Sequence, residues 1–264
     1  MRDVQKEPDS RQVAIDRVGV RCLRYPVVVM DRENGTQNTV ASISMSVLLP
    51  HEYRGTHMSR FIETMEEHKG KIGPAALEAL TERLRFKMDA TEAEIEFQFP
   101  YFVRKPAPVS GILSCMCHDA GFKGIYKENA FDMITGVEVC VQTLCPCSKE
   151  ISTLGAHNQR TKIRLAVRMD ELVWFEEMIE MAERSSSTPL YTLLKREDEK
   201  YVTEQAYANP RFVEDVVRDL AVELNRDGRI KWYDISVVSA ESIHNHDAFA
   251  AISRDKRTEL RERG

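Results

Sequence analysis

Residues 92–103 read EAEIEFQFPYFV, a run in which polar and apolar side chains alternate. An alternation at every second position is the period of a strand that buries one face and exposes the other. Residues 39–49, TVASISMSVLL, show the same period, and Asn34-Gly35 just before them is a strong signal for a hairpin turn. The two runs therefore predict half-buried antiparallel strands.

Two helices are predicted between these strands, over residues 58–68 and 73–88. In the second, leucines recur at three- to four-residue spacing and Pro74 suits the first turn. Each half of the chain has the order strands, two helices, strands, which predicts an α+β fold with antiparallel sheets and helices on one face. The other predicted elements are strands over 18–30, 111–117, 130–144, 162–167, 230–238 and 248–253, and helices over 171–184 and 210–225.

The chain of 264 residues is long enough for two domains. We expect two ββααββ modules, over residues 16–130 and 131–264, after a flexible polar segment over residues 1–15. A net charge of −5 argues against nucleic acid as a partner. No run of 18 apolar residues occurs and the N-terminus has no apolar signal-peptide core, so we expect a cytoplasmic protein without a membrane partner.

Six cysteines are present, and in a chain of this kind they are expected to be thiols rather than a disulfide framework. Cys22 and Cys140 lie in strand-like apolar runs, so we expect both to be small core residues. Cys145-Pro146-Cys147 is followed by His157, and thiolate and imidazole together suit zinc and similar divalent metals. The chain lacks the Cys-x-x-Cys pair of many structural zinc sites, which favours an open, catalytic metal site over a closed one; a buried thiol pair in a tight turn is the alternative.

Four further segments carry candidate site residues. His244 and His246, with Glu241 nearby, suit metal binding, proton transfer or phosphate binding, and a solvated loop is the alternative. Residues 55–61 precede a helix and suit an anion site, although the segment taken alone favours an ordinary N-cap, with Thr56 or Ser59 capping. The charged run 195–200 is typical of a solvated helix or loop surface, but one carboxylate there can complete a metal site. Glu214 lies close to the apolar stripe of its helix, where a carboxylate needs a partner such as the N–H edge of a guanine-like ring.

Taken together, four motifs in the same order resemble the type IB GTP cyclohydrolase I family. The similarity covers nearly the whole chain, including Gln37-Asn38-Thr39-Val40 and Tyr201-Val202-Thr203-Glu204. The four motifs are Gly55-Thr56-His57-Met58-Ser59-Arg60-Phe61, Cys145-Pro146-Cys147-Ser148-Lys149-Glu150, Gly155-Ala156-His157-Asn158-Gln159-Arg160 and Glu241-Ser242-Ile243-His244-Asn245-His246-Asp247.

The resemblance implies a tunnelling fold, or T-fold, made of two tandem ββααββ modules, and a homotetramer with active sites at subunit interfaces. It implies conversion of GTP and water to formate and 7,8-dihydroneopterin triphosphate, the first step of folate biosynthesis, with zinc, manganese or iron as the divalent metal. The metal ligands fall on Cys145, His157 and Glu199, and the purine anchor falls on Glu214. The segment with Glu241, His244 and His246 lies near the metal, and Cys147 is an additional thiol or an alternative ligand. The candidates for binding the triphosphate are Thr56, His57, Ser59, Arg60 and Arg160.

Two other functions are compatible with parts of this pattern. A tunnelling-fold nitrile reductase uses a cysteine nucleophile and no metal, which leaves His157 and the His-x-His segment unexplained. A non-catalytic, zinc-stabilised binding module needs a closed site with four ligands and no purine pocket.

Overall fold

The structure is a computed structural model that describes Gln5 and residues 7–68 and 71–258. These residues form antiparallel sheet and helices, which confirms the α+β class. The elements in chain order are β1 (Ile15–Asp31), β2 (Gly35–Leu49), α1 (Ser59–Glu67), β3 (Lys71–Ile72), α2 (Pro74–Met88), β4 (Ala93–Pro106), β5 (Leu113–Lys127), β6 (Ala130–Leu144), α3 (Pro146–Ile151), β7 (Asn158–Met169), α4 (Phe175–Arg184), β8 (Thr188–Pro189), α5 (Arg196–Ala208), α6 (Val213–Arg226), β9 (Ile230–Ser239) and β10 (Ala248–Asp255). None of the helices in the described part of the chain is long and apolar enough to cross a membrane.

The described residues divide into two compact units. The first takes the chain through Pro100 together with Gly121–Thr135, and the second takes Tyr101–Ala120 and the chain from Gly136 onward. Strands β4, β5 and β6 each contribute residues to both units. The division of the chain into two ββααββ modules, over residues 16–130 and 131–264, stays a prediction.

Strand order in the first unit is β6-β5-β4-β2-β1-β3. The predicted hairpin joins β1 to β2, and the Asp31 carboxylate closes its turn by accepting hydrogen bonds from the amides of Glu33 and Asn34 at 2.9 and 2.7 Å. Gly35 follows with a φ of +76°, a conformation that favours glycine. The hairpin is therefore set by local backbone chemistry, as the sequence indicated.

The structure excludes one of the two alternatives for residues 55–61, namely that Thr56 or Ser59 caps the helix that follows, α1. Its N-cap is Met58, and no side chain caps the helix, so neither Thr56 nor Ser59 is an N-cap residue. The flexible segment expected over residues 1–15 lies partly outside the described residues. Of the described ones, Gln5 and Glu7 accept hydrogen bonds from the amides of Gly55 and Arg54, both at 3.1 Å.

Strand order in the second unit is β4-β5-β6-β7-β9-β10, and β8 pairs with β6. The strands predicted over 162–167 and 230–238 are confirmed as parts of β7 and β9, in which Ile163 and Val237 lie opposite each other and are fully buried. Helix α6 packs on β9 and β10 through a buried stripe that includes Leu220, which also agrees with the sequence pattern.

Two predictions about cysteines are wrong. Cys22 is exposed, because a register shift between Val20 and Leu23 interrupts the pairing of β1 with β2 and gives Cys22 a φ of +60°. Cys140 is only half-buried, although burial still raises the pKa of its thiol.

Candidate active site

The candidate site lies in the second unit, where β6 ends and β7 begins. Cys145 follows the last residue of β6 and is the N-cap of α3, with Pro146 at the first helical position. The Cys145 sulfur accepts a hydrogen bond from the amide of Ser148 at 3.4 Å. The Cys-Pro-Cys segment therefore forms the start of a short helix, which directs a backbone N–H group at the sulfur of Cys145.

A tight return after α3 brings His157 to Cys145. Gly155 has a φ of +133°, so the turn depends on a residue without a Cβ atom. The amide of His157 donates to the Ser148 hydroxyl at 3.2 Å, and the amide of Cys145 donates to the His157 carbonyl oxygen at 3.1 Å. The structure thus joins the two residues that the sequence pattern paired.

The imidazole of His157 is largely buried and held from one side. Its Nδ1 lies 2.9 Å from Oε1 of Gln159. Because an amide oxygen only accepts hydrogen bonds, this contact places the proton on Nδ1 and leaves the lone pair on Nε2. Oε2 of Glu241 lies 3.7 Å from the same Nδ1, and a carboxylate at that distance favours the same placement.

Glu241, His244 and His246 lie in the loop between β9 and β10. The amide of His244 donates to the Glu241 carbonyl oxygen at 3.3 Å, so the chain turns here rather than continuing as a strand. The rings of His244 and His246 stack with their centroids 5.0 Å apart, and both residues are exposed. Glu241 therefore precedes a turn, and its carboxylate lies beside His157. In a regular strand, Glu241 would lie on the face opposite His244 and His246.

A buried row of polar side chains lies behind His157, and the sequence analysis missed it. Gln159 donates from Nε2 to the Thr143 hydroxyl at 3.1 Å, and the Thr143 and Thr161 hydroxyls are 2.7 Å apart. Thr161 in turn donates to the Ser239 hydroxyl at 3.0 Å. All four residues are at most 8% exposed. The sequence signal that could have revealed this row is its spacing. Thr143, Gln159 and Ser239 are two residues from Cys145, His157 and Glu241, respectively, and so lie on the same strand faces.

The proposed metal ligands form only a partial group. Within the described residues, no three His, Cys, Asp or Glu side chains come together as a metal site, so Glu199 does not join Cys145 and His157 there. The pair itself matches the donor types that zinc and manganese accept, with one sulfur and the free Nε2 of an imidazole. The ligand set of Cys145, His157 and Glu199 therefore stays a prediction.

Glu199 lies in α5, and its neighbour Asp198 explains how that helix is held. Asp198 is fully buried and accepts hydrogen bonds from the amides of Val109, Ser110 and Lys195, each at 2.8 Å, and from the Ser110 hydroxyl at 2.6 Å. Both oxygens of Asp198 are thus occupied. Glu199 is exposed and lines an open cavity of about 520 Å³ with Arg196 and other α5 residues. Of the two adjacent carboxylates, only Glu199 is available to a ligand.

The structure places Glu214 outside the buried stripe of α6, next to which the sequence had put it. Glu214 lies in the first turn of α6 and is exposed, whereas its neighbour Val213 is buried. The segment before α6 is still tied to the site, because the amide of Arg211 donates to the Leu144 carbonyl oxygen at 3.0 Å. Glu214 therefore lies in the first turn of a helix whose preceding segment is bonded to the residue before Cys145, and its carboxylate is exposed.

The five candidates for binding the triphosphate have different surroundings. Arg160 is exposed in β7 of the second unit, on the strand face opposite Gln159. Arg60 belongs to the first unit and donates to the Lys87 carbonyl oxygen at 3.1 Å. The three remaining candidates, which also belong to the first unit, are Thr56, His57 and Ser59.

Comparison with known proteins identifies the family. The profile of the family described as type I GTP cyclohydrolase FolE2 matches residues 1–250. The GTP cyclohydrolase FolE2 of Pseudothermotoga lettingae is 50% identical over 256 residues, which are 97% of this chain and 99% of that protein. The protein of the same name from Thermosipho melanesiensis is 52% identical over 252 residues, 96% of this chain and 97% of its own length. The chain belongs to the FolE2 family.

Membership in the FolE2 family agrees with the GTP cyclohydrolase I resemblance of the four motifs. The name FolE2, which the matched family carries, replaces the type IB designation of the sequence analysis.

Solved structures with a similar fold include urate oxidases. Urate oxidase from Bacillus subtilis 168 aligns with a TM-score of 0.53 at 8% identity, covering 91% of this chain and 99% of that one. Uricase from Arthrobacter globiformis aligns with a TM-score of 0.50 at 9% identity, covering 90% and 93%. At these identities the likeness shows the fold alone. Because these are tunnelling-fold proteins, the tunnelling fold predicted for this FolE2 chain is confirmed.

The contacts of Asp198 predict how stability depends on pH. Burial alone raises the pKa of this carboxyl group, but the hydrogen bonds from Ser110 and the backbone amides outweigh it, so the pKa lies well below its ordinary value of 3.8. The stabilisation is therefore present above about pH 4 and is lost as the pH falls toward the folded-state value. In Asp198→Asn, an NH2 group faces donors such as the Lys195 amide, so we expect a lower denaturation midpoint at pH 7.

The measurement is chemical denaturation of the parent chain and Asp198→Asn between pH 7 and about pH 2, with Glu197→Gln on the same helical turn as the control. The midpoints of the parent and Asp198→Asn should converge in acid, while Glu197→Gln follows the parent throughout. A difference as wide in acid as at pH 7 would contradict the assigned role of the carboxylate.

Proposed function

We propose that this FolE2 chain is a GTP cyclohydrolase that converts GTP and water to formate and 7,8-dihydroneopterin triphosphate, the first step of folate biosynthesis. The nearly full-length similarity to proteins named GTP cyclohydrolase supports this activity. The observation that carries the proposal within the structure is the hydrogen bond that sets Cys145 beside His157. A thiol nucleophile alone, as in a nitrile reductase, would give no reason for the imidazole to be held with Nε2 open.

The proposal includes a divalent ion, zinc, manganese or iron, held by Cys145, His157 and Glu199. The donor types support it, because sulfur, imidazole nitrogen and carboxylate oxygen are all ligands of such ions. Lewis-acid activation of water for attack on C8 of the guanine ring is the chemistry that such an ion supplies when bound. The choice of Glu199 over Asp198 is supported by the four hydrogen bonds that occupy Asp198.

Proton transfer is assigned to the loop after β9. His244 and His246 are exposed imidazoles in the segment that places Glu241 beside His157, and neutral imidazole accepts and donates protons near pH 7. In this proposal they move protons as the ring opens and formate leaves, and Glu241 supports the imidazole of His157. Cys147 is exposed two residues from Cys145 and serves as an additional thiol or an alternative ligand.

GTP binding is assigned to two sets of residues. The Glu214 carboxylate accepts hydrogen bonds from the N–H edge of the guanine ring, a pairing that suits an acceptor-only group. Cations and hydroxyls then bind the triphosphate. The residues proposed for that role are Thr56, His57, Ser59, Arg60 and Arg160.

The proposed assembly is a homotetramer with active sites at subunit interfaces. The segment between Cys147 and His157 supports it, because Ile151 and Leu154 are 85% and 96% exposed. Large apolar side chains exposed this far beside a site favour burial against another chain. The lack of a three-donor group within the described part of one chain also agrees with a site that is completed on assembly.

The first prediction of the proposed function concerns catalysis. Cys145→Ala should fold normally and release no formate from GTP in the presence of Zn²⁺ or Mn²⁺, because the sulfur ligand is lost. The assay is incubation with GTP followed by oxidation and detection of pterin fluorescence, with Cys115→Ala, an exposed cysteine in β5, as the matched control. Full turnover by Cys145→Ala would refute the metal assignment.

Chelation separates the three candidate functions in the same assay. A cyclohydrolase should stay folded, lose activity and regain it when metal is added. A reductase should not need metal, and a zinc-stabilised binding module should unfold without it.

The second prediction concerns the purine anchor. A hydrogen bond to a charged group contributes about 1.5–3 kcal/mol, so Glu214→Ala should weaken GTP binding roughly 10- to 150-fold. Metal affinity should not change. Calorimetric titration with GTP measures the effect, and Glu223→Ala in the same helix is the control. Unchanged GTP affinity in Glu214→Ala would remove Glu214 from the site.

The third prediction concerns assembly. Leu154→Asp places a charge in the exposed apolar segment and should shift the protein from tetramer to smaller species at micromolar concentration. Sedimentation velocity measures this shift, and Val222→Asp, at a 44% exposed valine of α6, is the control. A tetramer that tolerates Leu154→Asp would exclude this segment from the interface.

A further inference from the structure

The core-facing side chains of the second unit change from aliphatic to hydroxyl at one level of the sheet. Ile163 lies opposite Val237, and one step nearer the site Thr161 lies opposite Ser239. On β6, buried Val141 is followed at the same spacing by buried Thr143. Successive same-face positions on a strand are two residues apart, so the hydroxyl level lies directly beneath the level that carries the site.

Packing alone does not explain these hydroxyls. Valine has nearly the shape of threonine, and replacing both partners of a buried hydrogen bond by apolar groups of the same shape is often nearly neutral for stability. A buried hydroxyl also loses its water and must find a partner. The three hydroxyls find those partners in one another and in Gln159, which ends the row at His157.

The direction of the hydrogen bonds fixes the orientation of the Gln159 amide. Thr161 donates to Ser239, so Thr161 accepts from Thr143, and Thr143 accepts from Nε2 of Gln159. With Nε2 directed at Thr143, Oε1 is the atom that faces Nδ1 of His157, at 2.9 Å. The row thus selects one of the two orientations of the amide, and this orientation selects the tautomer of the imidazole.

We propose that Gln159 is a positioning residue that holds His157 with the proton on Nδ1 and Nε2 free to bind the metal, and that Thr143, Thr161 and Ser239 fix the Gln159 amide in the orientation this requires. The inference rests on the proposed metal site for its purpose, but the tautomer itself exists without metal. Groups that orient a ligating histidine commonly change metal affinity by about 10- to 100-fold.

The test uses the full-length protein and two readouts. The first is the tautomer of His157 in metal-free protein, from two-bond ¹H–¹⁵N correlation spectra, with His157→Asn to assign the signal. The second is affinity for Zn²⁺ and Mn²⁺, from competition with a chromophoric chelator. In Gln159→Leu the Nδ1–H tautomer should lose its dominance, and metal affinity should fall about 10- to 100-fold. Gln159→Glu keeps an acceptor for Nδ1–H and should retain the tautomer.

Gln142→Leu is the matched control, because Gln142 precedes Thr143 on the opposite face of β6 and its side-chain amide donates to Asn158 at 2.9 Å, away from the row. Thr143→Val with Thr161→Val and Ser239→Ala removes the three hydroxyls together and keeps the packing, so it should shift the tautomer with only a small fall in melting temperature, from the Nε2 group of Gln159 that loses Thr143. Thermal melts by circular dichroism separate these effects from misfolding.

Two results would overturn the positioning role. One is a parent-like His157 tautomer in Gln159→Leu or, should that variant not fold, in the triple hydroxyl variant. The other is a fall in melting temperature with no change of tautomer, which assigns the row to stability alone. A parent protein that binds no divalent metal would instead refute the proposed cofactor, and the tautomer measurement would still decide the role of Gln159.

Discussion

The hydrogen bond from the Cys145 amide to the His157 carbonyl oxygen, at 3.1 Å, is the contact on which the site depends. It joins the end of β6 to the start of β7 after a loop that contains a six-residue helix. Pro146 starts that helix, and Gly155 allows the chain to turn back toward Cys145. Both residues therefore help to bring His157 to Cys145. Backbone contacts thus bring a sulfur and an imidazole to one end of the sheet, and the Ser148 amide and the Gln159 side chain then hold these two groups.

The same strand period that builds the core also builds the support of the site. One level below Cys145 and Glu241, the buried side chains of Thr143, Thr161 and Ser239 are hydroxyls instead of valine and isoleucine, and Gln159 connects them to His157. A fully bonded polar row in a low-dielectric interior is rigid, because breaking any member leaves a buried group unpaired. Between the apolar core and the candidate site, the sheet therefore has one level of buried hydroxyls, whose proposed role is to fix the orientation of the Gln159 amide.

The elements that could be predicted are those whose core contacts repeat locally. The alternation of β4, the leucine repeat of α2 and the apolar stripe of α6 marked these elements to within a few residues. Helix α5 lacks such a stripe, since Asp198 and Ala206 are its buried residues, and its charged start was interpreted as solvated surface. What holds α5 is a set of bonds from Asp198 to residues 88 and 89 positions earlier, and no local pattern reveals a pairing at that distance. Cys22 was misplaced for a related reason, because a bulge changes which face a residue occupies.

The motifs identified Cys145 and His157, but the row beneath them depends on which residues lie opposite across strands, as Thr161 and Ser239 do. Among the described residues of one chain, no third donor joins Cys145 and His157, while Glu199, Ile151 and Leu154 are exposed. If assembly covers the apolar pair and completes the ligand set, metal binding and assembly are thermodynamically linked, and each strengthens the other by the same factor. The exposed apolar residues beside the site and the incomplete ligand set then have one consequence: subunit association increases metal affinity, and metal binding strengthens subunit association.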